Sequence, residues 1–374
     1  MGMKVSRRGL LGAASVGVGM AAFPCYAESF GAAPQDAPLF GPAPGVALLS
    51  RNENPYGPAP SAVQSITRWA DKGCYYADGG ARRLVEMLSE RFGVGMDHIA
   101  IGSGSTEILM SAALAMKDKG AIVCPELFWD ATVLYAQAKG ANVKRVPLKP
   151  DMSVDLAAME AAVTDDVALV QICNPNNPTG MVLDGEELRG FVRRVSQKAT
   201  VLIDEAYIEL TDRPDYSSVV DLVKEGCDLI VTRTFSKIYG MAGLRVGYAV
   251  TTPENVHAIR GYEMSFGGNT AGLAAAVASY NDAGFTNFSK DKILEARGIM
   301  LDAVAAAGLR ALPSQTNFLY VEVPDADAMQ AAMRERGVMI RPAYGKWKTW
   351  SRASTGRIED VRRYAAALPE IIGA

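Results

Sequence analysis

Between residues 98 and 250 the chain alternates short apolar runs with amphipathic stretches, and this alternation restricts its fold more than any other feature of the 374 residues. The runs fit strands at 99–101, 121–124, 142–146, 168–172, 200–203, 229–232 and 247–250, with helical periodicity between them, as at 108–116 and 185–197. Runs of this kind have no polar face to give to water, so they predict a mainly parallel sheet covered by helices on both sides. Helical patterns at 61–69 and 81–91 precede this region. After residue 255, Ala-rich helical stretches at 271–281 and 291–307 lead to a strand at 317–323 and helices at 325–336 and 358–372. That part predicts a smaller α+β domain, completed by N-terminal residues.

Ligands of open α/β sheets bind at the carboxyl ends of the strands, so the polar residues that end these runs are the candidates for chemistry. Val201-Leu202-Ile203 ends in Asp204, with Tyr207 three residues on. A buried carboxylate needs a cationic partner, and a protonated pyridine nitrogen is one. The run 168–172 ends in Asn174-Pro175-Asn176-Asn177-Pro178-Thr179-Gly180, a turn that offers the Asn177 amide. Gly102-Ser103-Gly104-Ser105-Thr106-Glu107 leads into a helix, and a helix N-terminus presents free N–H groups to a phosphate. Thr234-Phe235-Ser236-Lys237, followed by a Gly-rich stretch and Arg245, joins an amine to hydroxyls and a guanidinium. An amine can condense with an aldehyde, and the other groups can hold a phosphate. Together they suit pyridoxal 5'-phosphate (PLP).

This ordered set resembles the class I/II PLP-dependent aminotransferases. Asn52-Glu53-Asn54-Pro55-Tyr56-Gly57-Pro58 and Gly337-Val338-Met339-Ile340-Arg341-Pro342 are similar to the histidinol-phosphate aminotransferase-like subgroup. The resemblance covers roughly residues 45–370. It implies the α/β fold type I of PLP-dependent transferases: a large domain with a mainly parallel seven-stranded sheet and a smaller α+β domain. The expected divisions are an N-terminal arm at 28–60, the large domain at 61–255 and the small domain at 256–374.

By position, the resemblance makes Lys237 the Schiff-base lysine and proton shuttle, and Asp204 the partner of the pyridine N–H. Tyr207 and Asn177 would bond the phenolic oxygen. Ser105, Thr106, Thr234, Ser236 and Arg245 would hold the phosphate. Tyr76 would reach the phosphate of a neighbouring subunit, which implies a homodimer, although Ala77 stands where the family usually has proline. An aromatic after Pro125 would stack on the cofactor ring; Trp129 is the first choice and Phe128 the second, and both also suit a core. Arg352 would clamp the substrate α-carboxylate, in Ser-Arg-Ala rather than the family's usual Leu-Arg-Ile/Val. Arg341 matches the arginine that meets the substrate phosphate in histidinol-phosphate aminotransferases, and Asn177 also faces the substrate. The implied reaction moves an amino group between an amino acid and a 2-oxo acid by a ping-pong route. Two other readings suit the same residues: a decarboxylase or lyase of the threonine-phosphate decarboxylase type, and a non-catalytic periplasmic binding protein derived from the fold.

The first residues predict a targeting segment. Lys4, Arg7 and Arg8 precede the Gly/Ala-rich stretch 9–23, and Cys25-Tyr26-Ala27 suits cleavage after Ala27. Ser6-Arg7-Arg8-Gly9-Leu10-Leu11 carries the paired arginines of a twin-arginine (Tat) signal, which implies the Tat machinery as a transient partner and a periplasmic location for residues beyond 1–27. A formal charge of −3 gives no footprint for nucleic acid, and two histidines without Cys-x-x-Cys or His-x-x-His spacing predict no metal site.

Overall fold

The structure, a computed structural model, describes residues 38–373. The expected export signal at 1–27 lies outside them. Residues 38–43 contain no helix or strand. From Pro44 onward the chain is a single compact unit.

Its strands, in chain order, are β1 (Ala47–Leu48), β2 (Ile99–Gly102), β3 (Ala121–Pro125), β4 (Val143–Val146), β5 (Val167–Cys173), β6 (Thr200–Asp204), β7 (Leu229–Thr234), β8 (Gly247–Val250), β9 (Arg310–Ala311), β10 (Phe318–Glu322), β11 (Val338–Met339) and β12 (Trp350–Ser354). Seven of them, β2 to β8, form one sheet in the order β2-β8-β7-β6-β5-β3-β4. Its pairs are parallel except those made by β8, which runs antiparallel to both neighbours. The seven strands expected between residues 98 and 250 and the one expected at 317–323 are all present, each within two residues of its expected ends.

The two-residue repeat of a strand divides each run between two apolar layers. Val201, Ile203 and Val231 pack on one face of the sheet, while Leu202, Ile230 and Ile122 pack on the other. The covering helices carry their own stop and start signals. Asp184 caps the helix Gly185–Val195 by accepting from the N–H groups of Glu186 and Glu187, and Arg193 and Arg194 lie in its last turn.

A second core, built on Leu49, Met300, Leu319, Val321, Val361 and Tyr364, lies beneath the antiparallel sheet β12-β10-β9. The N-terminal strand β1 joins it by pairing with β11. The helix Ala283–Ala306 contributes to both cores. Leu273, Tyr280, Phe285 and Ile293 pack with the large sheet, whereas Ala296, Met300 and Val304 pack with the small one. One long helix thus serves both layers.

Behind the strand ends lies a buried ion pair. Glu205, fully buried, pairs with Arg233, whose Nη2 lies 2.8 Å away, and accepts from Arg233 Nε at 3.0 Å, Ser218 Oγ at 2.8 Å and the Val219 N–H at 2.9 Å. Removing one partner of such a pair leaves an uncompensated buried charge, which costs about 3–5 kcal/mol. Arg233→Ala is therefore expected to lower stability by that amount in denaturant unfolding, and a loss below about 1 kcal/mol would show the pair to be dispensable.

Candidate active site

The parallel strands bring their carboxyl ends to one edge, and β8 brings its amino end to the same edge. Register places Asp204 beside Cys173 and Thr232, and Thr234 beside Gly247, which in turn faces Gly102. Asp204 is 5% exposed. Thr232 Oγ1 donates to its Oδ1 at 3.0 Å, the Cys173 thiol lies 3.9 Å from its Oδ2, and the Ala206 backbone N–H also faces it. Burial pushes its carboxyl up to about 6, against the opposing effects of the Thr232 bond and the Lys237 charge. A carboxylate held this way lacks a strong partner and suits a protonated ring nitrogen.

Lys237 follows β7 in the turn to β8. Its Nζ lies 5.6 Å from the centre of the Tyr207 ring. Burial and the nearby Arg352 charge pull its amine down to about 8, so a large neutral fraction exists in mild base. The Tyr207 hydroxyl accepts from Asn52 Nδ2 at 3.0 Å and from Asn177 Nδ2 at 3.3 Å. Burial pushes the Tyr207 phenol well above its usual range. Asn52 adopts a left-handed backbone (φ 55°), with its own amide oxygen accepting from Ser354 Oγ at 2.6 Å.

The hydroxyls and the guanidinium expected to hold a phosphate converge beside the helix Gly104–Met116. Thr234 Oγ1 donates to Ser236 Oγ at 2.9 Å, and Arg245 Nη1 reaches Ser236 Oγ at 3.4 Å. Arg245, itself left-handed at φ 52°, also donates to the carbonyls of Ala242 at 2.9 Å and Ser103 at 3.1 Å. A Cβ on Gly104 would collide with the Arg245 guanidinium, and one on Gly247 would collide with the Ser105 N–H. Only glycine allows the helix N-terminus, with Ser105 and Thr106 in its first turn, to come this close to the arginine. The result is a cradle of hydroxyls, N–H groups and one cation, the donor set that a phosphate ester takes.

Arg352, at the centre of β12, is 3% exposed. Its Nη1 donates to Asn177 Oδ1 at 2.7 Å and to the Tyr344 hydroxyl at 2.6 Å, and its Nη2 donates to the Ser50 carbonyl at 2.7 Å. Its Nε is buried without a partner. Among the described residues no carboxylate pairs with it. The Arg341 guanidinium lies 4.5 Å from the Tyr344 ring, outside this hydrogen-bonded set.

Of the two stacking candidates, Phe128 is 2% exposed inside the core layer with Ile122 and Val133, while Trp129 is only partly buried against that layer. Tyr76 stands apart from Lys237. It is 74% exposed, packs on Phe266 at 4.7 Å between ring centres, and lines a cleft with Arg245, Glu107 and Glu263. Sequence reasoning missed Asn52, Thr232 and Tyr344 as contributors. Asn52 was visible as the first residue of a quoted motif. Thr232 and Tyr344 gave no signal in the sequence, since only pairing and folding bring them to Asp204 and Arg352.

A buried acid at a strand end, an amine with a lowered pKa after the next strand, and hydroxyls, N–H groups and a guanidinium at a helix N-terminus are the groups that PLP chemistry calls for. The comparisons agree. The chain belongs to the aminotransferase class I and II family, whose model matches residues 44–368, and it is a PLP-dependent aminotransferase. It is 34% identical to histidinol-phosphate aminotransferase of Moorella thermoacetica over 87% of this chain and 86% of that protein. It is also 37% identical to an aromatic amino acid aminotransferase of Rhodococcus jostii, over 81% and 84% of the two. The fold matches histidinol-phosphate aminotransferase of Sinorhizobium meliloti, solved with pyridoxal-5'-phosphate, with a TM-score of 0.81 and 31% identity over 87% and 90% of the chains.

Asp204 links the stability of the cofactor-free chain to pH. Its folded pKa of about 6 lies above the ordinary 3.8, so the cofactor-free chain binds an extra proton between those values and loses stability as pH rises through that window, by at most about 3 kcal/mol. Asp204→Asn is expected to remove that slope, making the cofactor-free protein more stable than the parent above pH 6 while weakening PLP binding. Denaturant unfolding across pH, with PLP titration alongside, checks both; a variant that binds PLP as tightly as the parent would detach Asp204 from the ring nitrogen.

Proposed function

We propose that this chain is an exported, homodimeric, histidinol-phosphate aminotransferase-like enzyme that moves amino groups between α-amino acids and 2-oxo acids by a ping-pong route. The observation that carries the substrate class is Arg352, a buried guanidinium with only neutral acceptors and an unpartnered Nε. A carboxylate is the ligand that such a fork takes. The relatives bear two different substrate names at similar identity, so their names alone do not select a donor.

Bound PLP supplies the electron sink that makes the substrate α-proton removable. Asp204 keeps the proton on the ring nitrogen. Tyr207, with Asn177 beside it, serves the phenolic oxygen. Ser105, Thr106, Thr234, Ser236 and Arg245 hold the phosphate, and Trp129 offers a ring for the cofactor face. Arg352 orients the substrate through its carboxylate, and Lys237 Nζ moves the α-proton. Donor and acceptor occupy the same site in turn. Arg341 serves a second anionic group where the substrate has one. Export rests on the paired arginines Arg7 and Arg8 and the apolar stretch after them. Pairing of two copies is supported by the exposed rings of Tyr76 and Phe266 beside the cleft that Arg245 lines.

Truncating one partner of a buried charged pair costs about 2–5 kcal/mol. Arg352→Ala is therefore expected to lower kcat/KM for α-amino acids about a hundredfold or more, with the cofactor absorption band retained. Arg341→Ala should affect only donors with a second anionic group. A donor panel against pyruvate and 2-oxoglutarate measures both; near-parental kcat/KM in Arg352→Ala would remove it from the carboxylate site. Pairing and export are checked together by fractionating cells and sizing the purified protein. An active monomer on dilution would rule out the homodimer, and retention in the cytoplasm would rule out export.

A further inference from the structure

Arg245 opens onto a cleft that Tyr76, Asp78, Glu107 and Glu263 also line. Glu107, in the first turn of the helix Gly104–Met116, ties two walls of this cleft together. Its Oε2 accepts from the Ser103 N–H at 2.6 Å, and the Ser103 carbonyl in turn accepts from Arg245 Nη2 at 3.1 Å. Its Oε1 accepts from the Met264 N–H at 2.9 Å. That bond brings the preceding residue, Glu263, to the cleft, where Glu263 Oε1 is enclosed without a hydrogen-bond partner. Burial and the Glu107 charge push the Glu263 carboxyl up to about 7, against a smaller pull from Arg260 at the end of the helix Pro253–Arg260. Two glutamates thus share a cleft with the guanidinium of the cradle, and only Glu263 has an oxygen without a donor.

We propose that Glu263 is a proton-operated control on how tightly the cradle holds the cofactor's phosphate ester. Neutral, Glu263 leaves the Arg245 charge to the phosphate. Ionised, it adds a carboxylate to the cleft, which repels the ester and offsets the guanidinium. Glu263 is neutral below about pH 7 in the cofactor-free chain, so its penalty on binding is absent there and grows as pH rises through that value. By linkage, an ester that enters above this pH draws a proton onto Glu263. The ester itself gains charge over the same range, with a second pKa of about 6. The Glu263 contribution is therefore read as a difference between two proteins that meet the same ester. The inference rests on Arg245 holding the cofactor phosphate.

The test titrates pyridoxamine 5'-phosphate, which has no aldehyde to join Lys237, into the cofactor-free parent and its Glu263→Gln variant by calorimetry. Glutamine copies the neutral acid. The measurements are made at about pH 5.5 and about pH 8.5, on either side of the Glu263 value. Equal affinity is expected at the lower pH. At the higher pH the variant should bind about tenfold more tightly, the effect of one charge removed from a partly exposed site. Near pH 7 the parent should also take up more protons on binding than the variant, seen as a heat that depends on the buffer. An affinity ratio that is the same at both pH values, or equal proton uptake, would overturn the proposal. Arg245→Gln tests the reading beneath it. If that variant binds the ester as tightly as the parent, the phosphate is held elsewhere and both readings fall. If it binds weakly while Glu263→Gln gives a constant ratio, only the control by Glu263 falls.

Discussion

A cation buried among neutral groups organises this molecule. Arg352 comes from the small sheet, Asn177 from the loop after a strand of the large one, and Ser50 from the segment next to β1. Burial disfavours the guanidinium charge and draws its pKa down. The three acceptors keep the charge in place without neutralising it. An unneutralised buried cation is a poor way to stabilise a fold and a good way to receive an anion. The same charge helps to lower the Lys237 pKa, so the group that would position a substrate also sets the readiness of the amine that would react with it.

The large sheet contributes the opposite arrangement, a buried acid held by neutral donors. Asp204 and Arg352 are both under-partnered, and they carry opposite charges. Each is costly to the empty protein, and a cofactor with a cationic ring nitrogen and a substrate with a carboxylate would relieve one cost each. Glu205, next in sequence to Asp204, shows the contrast. It points away from the site and is matched by a guanidinium, a hydroxyl and a backbone N–H. Adjacent acids at the end of one strand thus do opposite work, one completed by the fold and the other left for a ligand.

The large sheet was legible because a strand buried on both faces reads as an apolar run, and its terminal polar residue is then conspicuous. Asp204 was singled out in that way, Asn177 and Lys237 from the polar segments that follow two of the strands, and the closing helix Ile358–Ile372 has the span its periodicity gave. β12 was not legible as a strand. Trp350-Ser351-Arg352-Ala353-Ser354 has no apolar run, because Trp350 shares its face with an arginine and a serine and the other face carries only Ser351 and Ala353. Tyr344 was hidden for a related reason. Its role depends on a turn between two short strands, and nothing in its neighbours Ala343 and Gly345 announces a contact with Asn177.

The Tyr207 hydroxyl has a consequence of its own. Asn52 and Asn177 both give it a hydrogen, so its oxygen has no lone pair to spare and its single hydrogen has one direction left. Tyr207 is thereby fixed as a giver. Any molecule seated against it must present an oxygen able to receive, and a ring whose oxygen has been capped with a methyl group would find that hydrogen pointing at carbon. The two asparagines thus set the direction in which the Tyr207 hydroxyl gives its hydrogen.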